Sequence, residues 1–268
     1  MPLIPPTPLN DSLKSLLLRG LLAGLIAGLL AATVGYFVGE PKIEAAIAIE
    51  EAASESTGAG HSHGDQAGHS HGDEEEPLVS RTGQRGGQFL ALGLAGLALG
   101  AIFGAAAHFA RRFSTLSGPA LALALALGGW AAIVAVPFFK YPANPPAVGD
   151  PETIGDRTWL WVAAVLLGLV AVSAGVLVAK LLHAQPGTLR LIGGVAAFVA
   201  IVTIGYVALP GIDEVQADFP ASLLWQFRVA SLAQTATLWA ALGLGFAALT
   251  EFATRGSTRV GAPAATAG

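Results

Sequence analysis

Cysteine is absent from the 268 residues, so neither a disulfide nor a thiolate metal site is open to this chain. That absence carries no message about compartment. Charge is scarce as well. Only 12% of residues are Asp, Glu, Lys or Arg, where ordinary soluble domains carry about 25%. The net charge of −4 comes with no basic stripe, which excludes a nucleic-acid partner. No Gly-x-x-x-x-Gly-Lys-[Ser/Thr] loop offers ATP a phosphate cradle. No Ser/His or His-Glu-x-x-His pairing suggests an intramembrane protease, so the chain does not read as an enzyme. Carboxylates and paired histidines are also missing from the middle of the apolar runs, where ion-coupled metal transporters keep their ligands.

What fills the chain instead is apolar: 53% of residues are hydrophobic and 34 are glycine. A bilayer core about 30 Å thick needs roughly 20 apolar residues in a helix. Six runs reach that length, and none contains an Asp, Glu, Lys or Arg. They lie between Arg19 and Glu40, Arg85 and Arg111, Arg112 and Lys140, Arg157 and Lys180, Arg190 and Asp213, and Arg228 and Glu251. The first exceeds the apolar core of a signal peptide, about 7–15 residues, and reads as a membrane anchor. The fold class expected is an all-α integral membrane protein, a bundle of about six transmembrane helices. A disordered, His-rich loop should separate the first helix from the second.

The layout that follows has a disordered N-terminus over 1–15 and a first span over 16–39. An extracytoplasmic loop covers 40–85 and includes a His-rich segment, 58–76. The remaining spans fall within 86–254, and 255–268 is a disordered tail. Glycines four apart, Gly20, Gly24 and Gly28 in the first span and Gly96, Gly100 and Gly104 in the second, suit close helix pairing in lipid. In a Gly-rich chain chance spacing weighs equally.

The distribution of charge sets a face. With a cytoplasmic N-terminus, eight basic residues fall inside and six outside, the latter mostly in longer loops where they count for less. Both termini are then cytoplasmic, and the protein sits in the inner (plasma) membrane among its lipids. Sixteen of the eighteen acidic residues fall on the other face. Such a face attracts cations whichever way round it sits.

That face also holds the segment with the clearest chemistry. Gly-His-Ser-His-Gly-Asp occurs at 60–65 and again, unchanged, at 68–73. It supplies His61, His63, His69 and His71, with Asp65 and Asp73 and then Glu74, Glu75 and Glu76. Imidazole suits Co²⁺, Ni²⁺, Cu²⁺ and Zn²⁺, and carboxylates complete a shell. Glycine and serine between the rings let the backbone fold them onto one ion. The plainer reading is a solvated acidic linker, but drift does not readily produce an identical duplication. On raw affinity copper outcompetes cobalt at such sites.

Other ligands on the same face are oxygen donors: Glu40, Asp150, Glu152, Asp156, Asp213, Glu214 and Asp218. They form a possible transfer site beyond the histidines, although each taken singly reads better as a solvated loop acid. His108, at the other end of the second run, is a possible exit ligand, against the commoner reading of an interfacial packing residue. Residues 43–55 read as an amphipathic helix with Ile43, Ala46 and Ile47 on the membrane and Glu44, Glu51 and Glu55 in water.

Three stretches together resemble the CbtA-type cobalt transporter subunit family of bacteria. They are Gly35-Tyr36-Phe37-Val38-Gly39-Glu40-Pro41, the His-rich first loop, and Lys140-Tyr141-Pro142-Ala143-Asn144-Pro145-Pro146-Ala147-Val148-Gly149. The resemblance implies cobalt uptake linked to cobalamin synthesis. It also implies a small single-span partner, a CbtB-type subunit with a His-rich end. Co²⁺ is then the expected cargo, with Ni²⁺ and Zn²⁺ as alternatives. Two other functions stay open at this point: a metal exporter with the loop in the cytoplasm, and a membrane metal sensor or scaffold that transports nothing.

Overall fold

A computed structural model describes residues 9, 11–58, 80–146, 148–149, 153–212, 214–215 and 218–260. Among these residues every regular element is helical. The helices are α1 (Leu13–Val34), α2 (Glu40–Gly58), α3 (Arg81–Ala110), α4 (Gly118–Trp130), α5 (Val136–Lys140), α6 (Ile154–Leu181), α7 (Gly187–Ala208) and α8 (Ala221–Val260). Six of the resulting helical stretches are long and apolar enough to cross a membrane, matching the six charge-free runs. Serine marks three of the starts. Ser12, Ser80 and Ser117 accept from the backbone N–H of Ser15, Gly83 and Ala120, satisfying a donor that the first turn leaves open.

Two helices carry a wide turn at the same place. Gly35–Gly39 joins α1 to α2, and Ala131–Ala135 joins α4 to α5, each with i→i+5 bonding. Glu40 N–H reaches back to Gly35 O, and Val136 N–H to Ala131 O. In both cases a proline follows six residues after the turn begins, Pro41 and Pro137. A proline inside a helix lacks its N–H, and its ring clashes with the carbonyl four residues back. Widening the preceding turn relieves that clash without ending the helix.

Helices α1 and α3 run antiparallel with glycine set against glycine. A Cβ at Gly20 would strike Gly100 O, one at Gly24 would strike Gly96 O, and one at Gly104 would lie 2.6 Å from Leu16 O. The backbones are therefore in contact, which is what small residues four apart allow. Of the two readings of that spacing, helix pairing holds. Helix α4 and the middle of α8 complete the main core, where Leu16, Phe103, Leu121, Leu242 and Phe246 are buried together. The rings of Phe103 and Phe246 meet edge to face at 5.2 Å.

Helices α6 and α7 form an outer hairpin. Gly168 of α6 lies against Ala132 O of the wide turn, and Gly175 meets Gly194 of α7. Gly194 is the one buried residue of α7, while Val199, Ile204 and Val207 are exposed. In a membrane that exposure is contact with lipid.

The segment expected to lie on the membrane behaves differently. Helix α2 continues α1 through the wide turn, and Ala46 is fully buried against Val148, Phe219 and Leu224. Its apolar side covers the loops of that face, not lipid. The reason is that the loops of that face present Val148, Val215 and Phe219, apolar side chains that need covering.

Candidate functional site

On the face carrying α2, two clusters of charge close the ends of the spans. The first surrounds Glu40, whose side chain is only 10% exposed. Arg81 approaches it at 2.5 Å and Arg85 donates through Nε at 2.9 Å, while Arg85 also pairs with Glu44. Two guanidiniums against two carboxylates leave this cluster neutral. The pairing follows from the helices: α3 begins beside the point where α1 becomes α2, so Arg81 and Arg85, one turn apart at its start, meet the glutamate just beyond the wide turn.

The second cluster surrounds Glu214, whose side chain is 4% exposed. Thr153 Oγ1 donates to it at 2.7 Å, Arg157 at 2.9 Å and Asn144 Nδ2 at 3.4 Å. Asn144 Oδ1 in turn accepts from Arg228 at 2.9 Å, and Ala143 O accepts from the same guanidinium at 3.3 Å. Lys140 donates to Tyr206 O at 2.9 Å, and the Tyr141 hydroxyl donates to Pro210 O at 2.7 Å. Burial pushes the Tyr141 phenol above its ordinary pKa. The prolines of Lys140–Gly149 leave carbonyls without local partners, and long basic side chains supply the donors.

Beneath this layer a cavity of about 560 Å³ opens between α5, α6 and α8. Ile133, Phe138 and Trp161 form apolar wall, and Arg157, Ser231 and Thr235 are its polar edge. A smaller cavity, about 60 Å³, sits above it among Lys140, Asn144, Glu214 and Arg228.

The predicted ligands divide accordingly. His61, His63, Asp65, His69, His71, Asp73, Asp150, Glu152 and Asp213 lie outside the described residues. Glu40 and Glu214 are brought to the mouth of the bundle but are held in ion pairs. Asp156, in the first turn of α6, and Asp218 are exposed on the same face. His108 lies in the last turn of α3, at the opposite face, with Nδ1 buried and without a hydrogen-bond partner. Among the described residues no three His, Asp or Glu converge on a metal-sized point. Helix α2 ends at Gly58, about 27 Å along its axis from Glu40 at 1.5 Å per residue.

Sequence reasoning missed the arginines. Arg81, Arg85, Arg157 and Arg228 were counted only for topology, yet they organise both clusters. One signal was available: Arg85, Arg157 and Arg228 each sit at the outer end of a charge-free run, where a basic side chain must find a partner or snorkel.

No curated protein and no solved structure matches this chain. A family model does, over residues 13–251, and its description is "Probable cobalt transporter subunit (CbtA)". The match takes in all six apolar helices and both wide turns. With the six membrane-length helices, it makes the chain a multi-pass membrane protein of the CbtA family of probable cobalt transporter subunits.

Proposed function

We propose that this subunit serves uptake, and that its His-rich segment collects Co²⁺ for the helix bundle. The observation that carries the reading is the duplicated Gly-His-Ser-His-Gly-Asp unit between the first and second spans. His61, His63, His69 and His71 take the ion, with Asp65 and Asp73 as oxygen ligands. Histidine binds only as neutral imidazole, so collection weakens below a pH of about 6.5. The ion then passes by ligand exchange towards the bundle. Exposed Asp156 and Asp218, with Asp150, Glu152 and Asp213, are the acids available for that transfer. Glu40 and Glu214 hold arginines and shape the mouth. The loop faces outward from the inner membrane, both ends of the chain are cytoplasmic, and a small single-span subunit completes the system.

The test is Co²⁺ uptake at limiting metal by cells expressing the intact chain or one with all four histidines replaced by alanine. An impermeant label on the loop reports its side in the same cells. The expected loss is about tenfold, equivalent to 1.4 kcal/mol. Equal uptake would overturn the collecting role, and a loop inaccessible from outside would favour export.

A further inference from the structure

Two intramembrane glutamines are unaccounted for by either charge cluster. Gln88 of α3 and Gln234 of α8 both point at Gly35, the first residue of the wide turn in the α1–α2 helix. The spot that a Cβ at Gly35 would fill lies 2.7 Å from Gln234 Nε2 and still closer to Gln88 Nε2. Three helices thus bring two amides and a bare backbone together. Neither amide makes a hydrogen bond among the described residues, and both side chains are only half-buried. An unsatisfied amide in a membrane interior is costly unless water reaches it. A wide turn at membrane depth is itself a frequent mark of function.

Other polar groups lie on the same helices. Glu40, with its neutral cluster, lies about 7 Å further along the same helix. Ser231 is three residues before Gln234, so the two share a side of α8, and Ser231 and Thr235 border the 560 Å³ cavity. Arg157, the charged side chain on that cavity, is neutralised by Glu214. Polar groups on one side of α8 thus run from Gln234 through Ser231 to the edge of the cavity. A half-turn of each amide exchanges nitrogen for oxygen, so the pair can present two carbonyl oxygens.

We propose that Gln88, Gln234 and Gly35 form a waist through which a partly hydrated divalent cation passes, the amide oxygens standing in for some of its water. The proposal rests on the transport assignment but not on the His-rich segment. Gly35 has no side chain because a Cβ there would strike both amides.

The chain has no cysteine, so single replacements can be labelled cleanly. Gln88→Cys and Gln234→Cys are treated with a charged methanethiosulfonate in membranes holding the intact protein. Leu90→Cys, at a position 67% exposed beside lipid, is the control. Labelling at 88 and 234 should run at least about tenfold faster than at 90, slow in the presence of Co²⁺, and block Co²⁺ uptake. Rates no faster than the control, or labelling that leaves uptake intact, overturn the proposal. Gln88→Leu and Gln234→Leu give a second measure. Uptake should fall about tenfold or more with the unfolding midpoint unchanged. A lowered midpoint with uptake per folded molecule preserved would make the amides mere contacts between helices. Repeating the labelling on a chain lacking 61–73 separates the readings, because the waist should stay reactive even if collection by histidine fails.

Discussion

Replacing Gly100 by alanine puts one methyl group where the backbones of α1 and α3 touch. The new Cβ would overlap Gly20 O and would lie 2.8 Å from Gly20 C and 3.0 Å from Gly24 Cα. Carbon atoms attract best at about 3.5–4.0 Å. All the obstructing atoms are backbone, so no side chain can swing aside, and the helices must part by about 1 Å. Overpacking of this kind costs about 1–3 kcal/mol. Alanine's better helix propensity offsets about 1 kcal/mol of that, leaving a net loss of up to about 2 kcal/mol. Gly86, also within α3, has nothing within 4 Å of its would-be Cβ. Gly86→Ala should therefore gain up to about 1 kcal/mol. Reversible unfolding in micelles compares the two variants. The double variant Gly20→Ala/Gly100→Ala should lose less than the sum, since a pair already forced apart is parted once. If Gly100→Ala is as stable as Gly86→Ala, or the losses simply add, the backbone contact is not what holds these helices together.

Glu214→Gln should lower stability by about 2–3 kcal/mol, less than a fully buried pair would, because Arg157 keeps some solvent; thermal unfolding reads it. Tyr141→Phe removes one hydrogen bond, to Pro210 O, and should cost about 1 kcal/mol. The Tyr141 phenol is raised by burial, so its contribution is complete below its unfolded pKa of about 10 and lost as pH climbs through the higher folded value. The variant should lack that alkaline loss in a pH series of unfolding midpoints. Co²⁺ binding by the whole protein should be present at pH 7 and much weakened at pH 5, because protonated imidazole does not ligate; calorimetry showing equal affinity at the two values would exclude histidine ligation.

Several features of this protein were settled along the chain itself. Six charge-free runs fixed six spans, because a charge in hydrocarbon costs several kcal/mol wherever the rest of the chain goes. The glycine rows at 20, 24, 28 and 96, 100, 104 each lie on a single helix face, which suits a close contact, but spacing alone weighed chance equally and the structure decided for contact. The duplicated histidine unit needs no fold to be recognised. Other features existed only once the helices were assembled. That Glu40 meets Arg81 and Arg85, that Ala46 is sealed by Phe219 and Leu224, and that Gln88 and Gln234 converge on Gly35 depend on which helix lies beside which. Periodicity states which face of a helix is apolar or small, but not its neighbour, because that choice is made by packing between residues far apart in sequence.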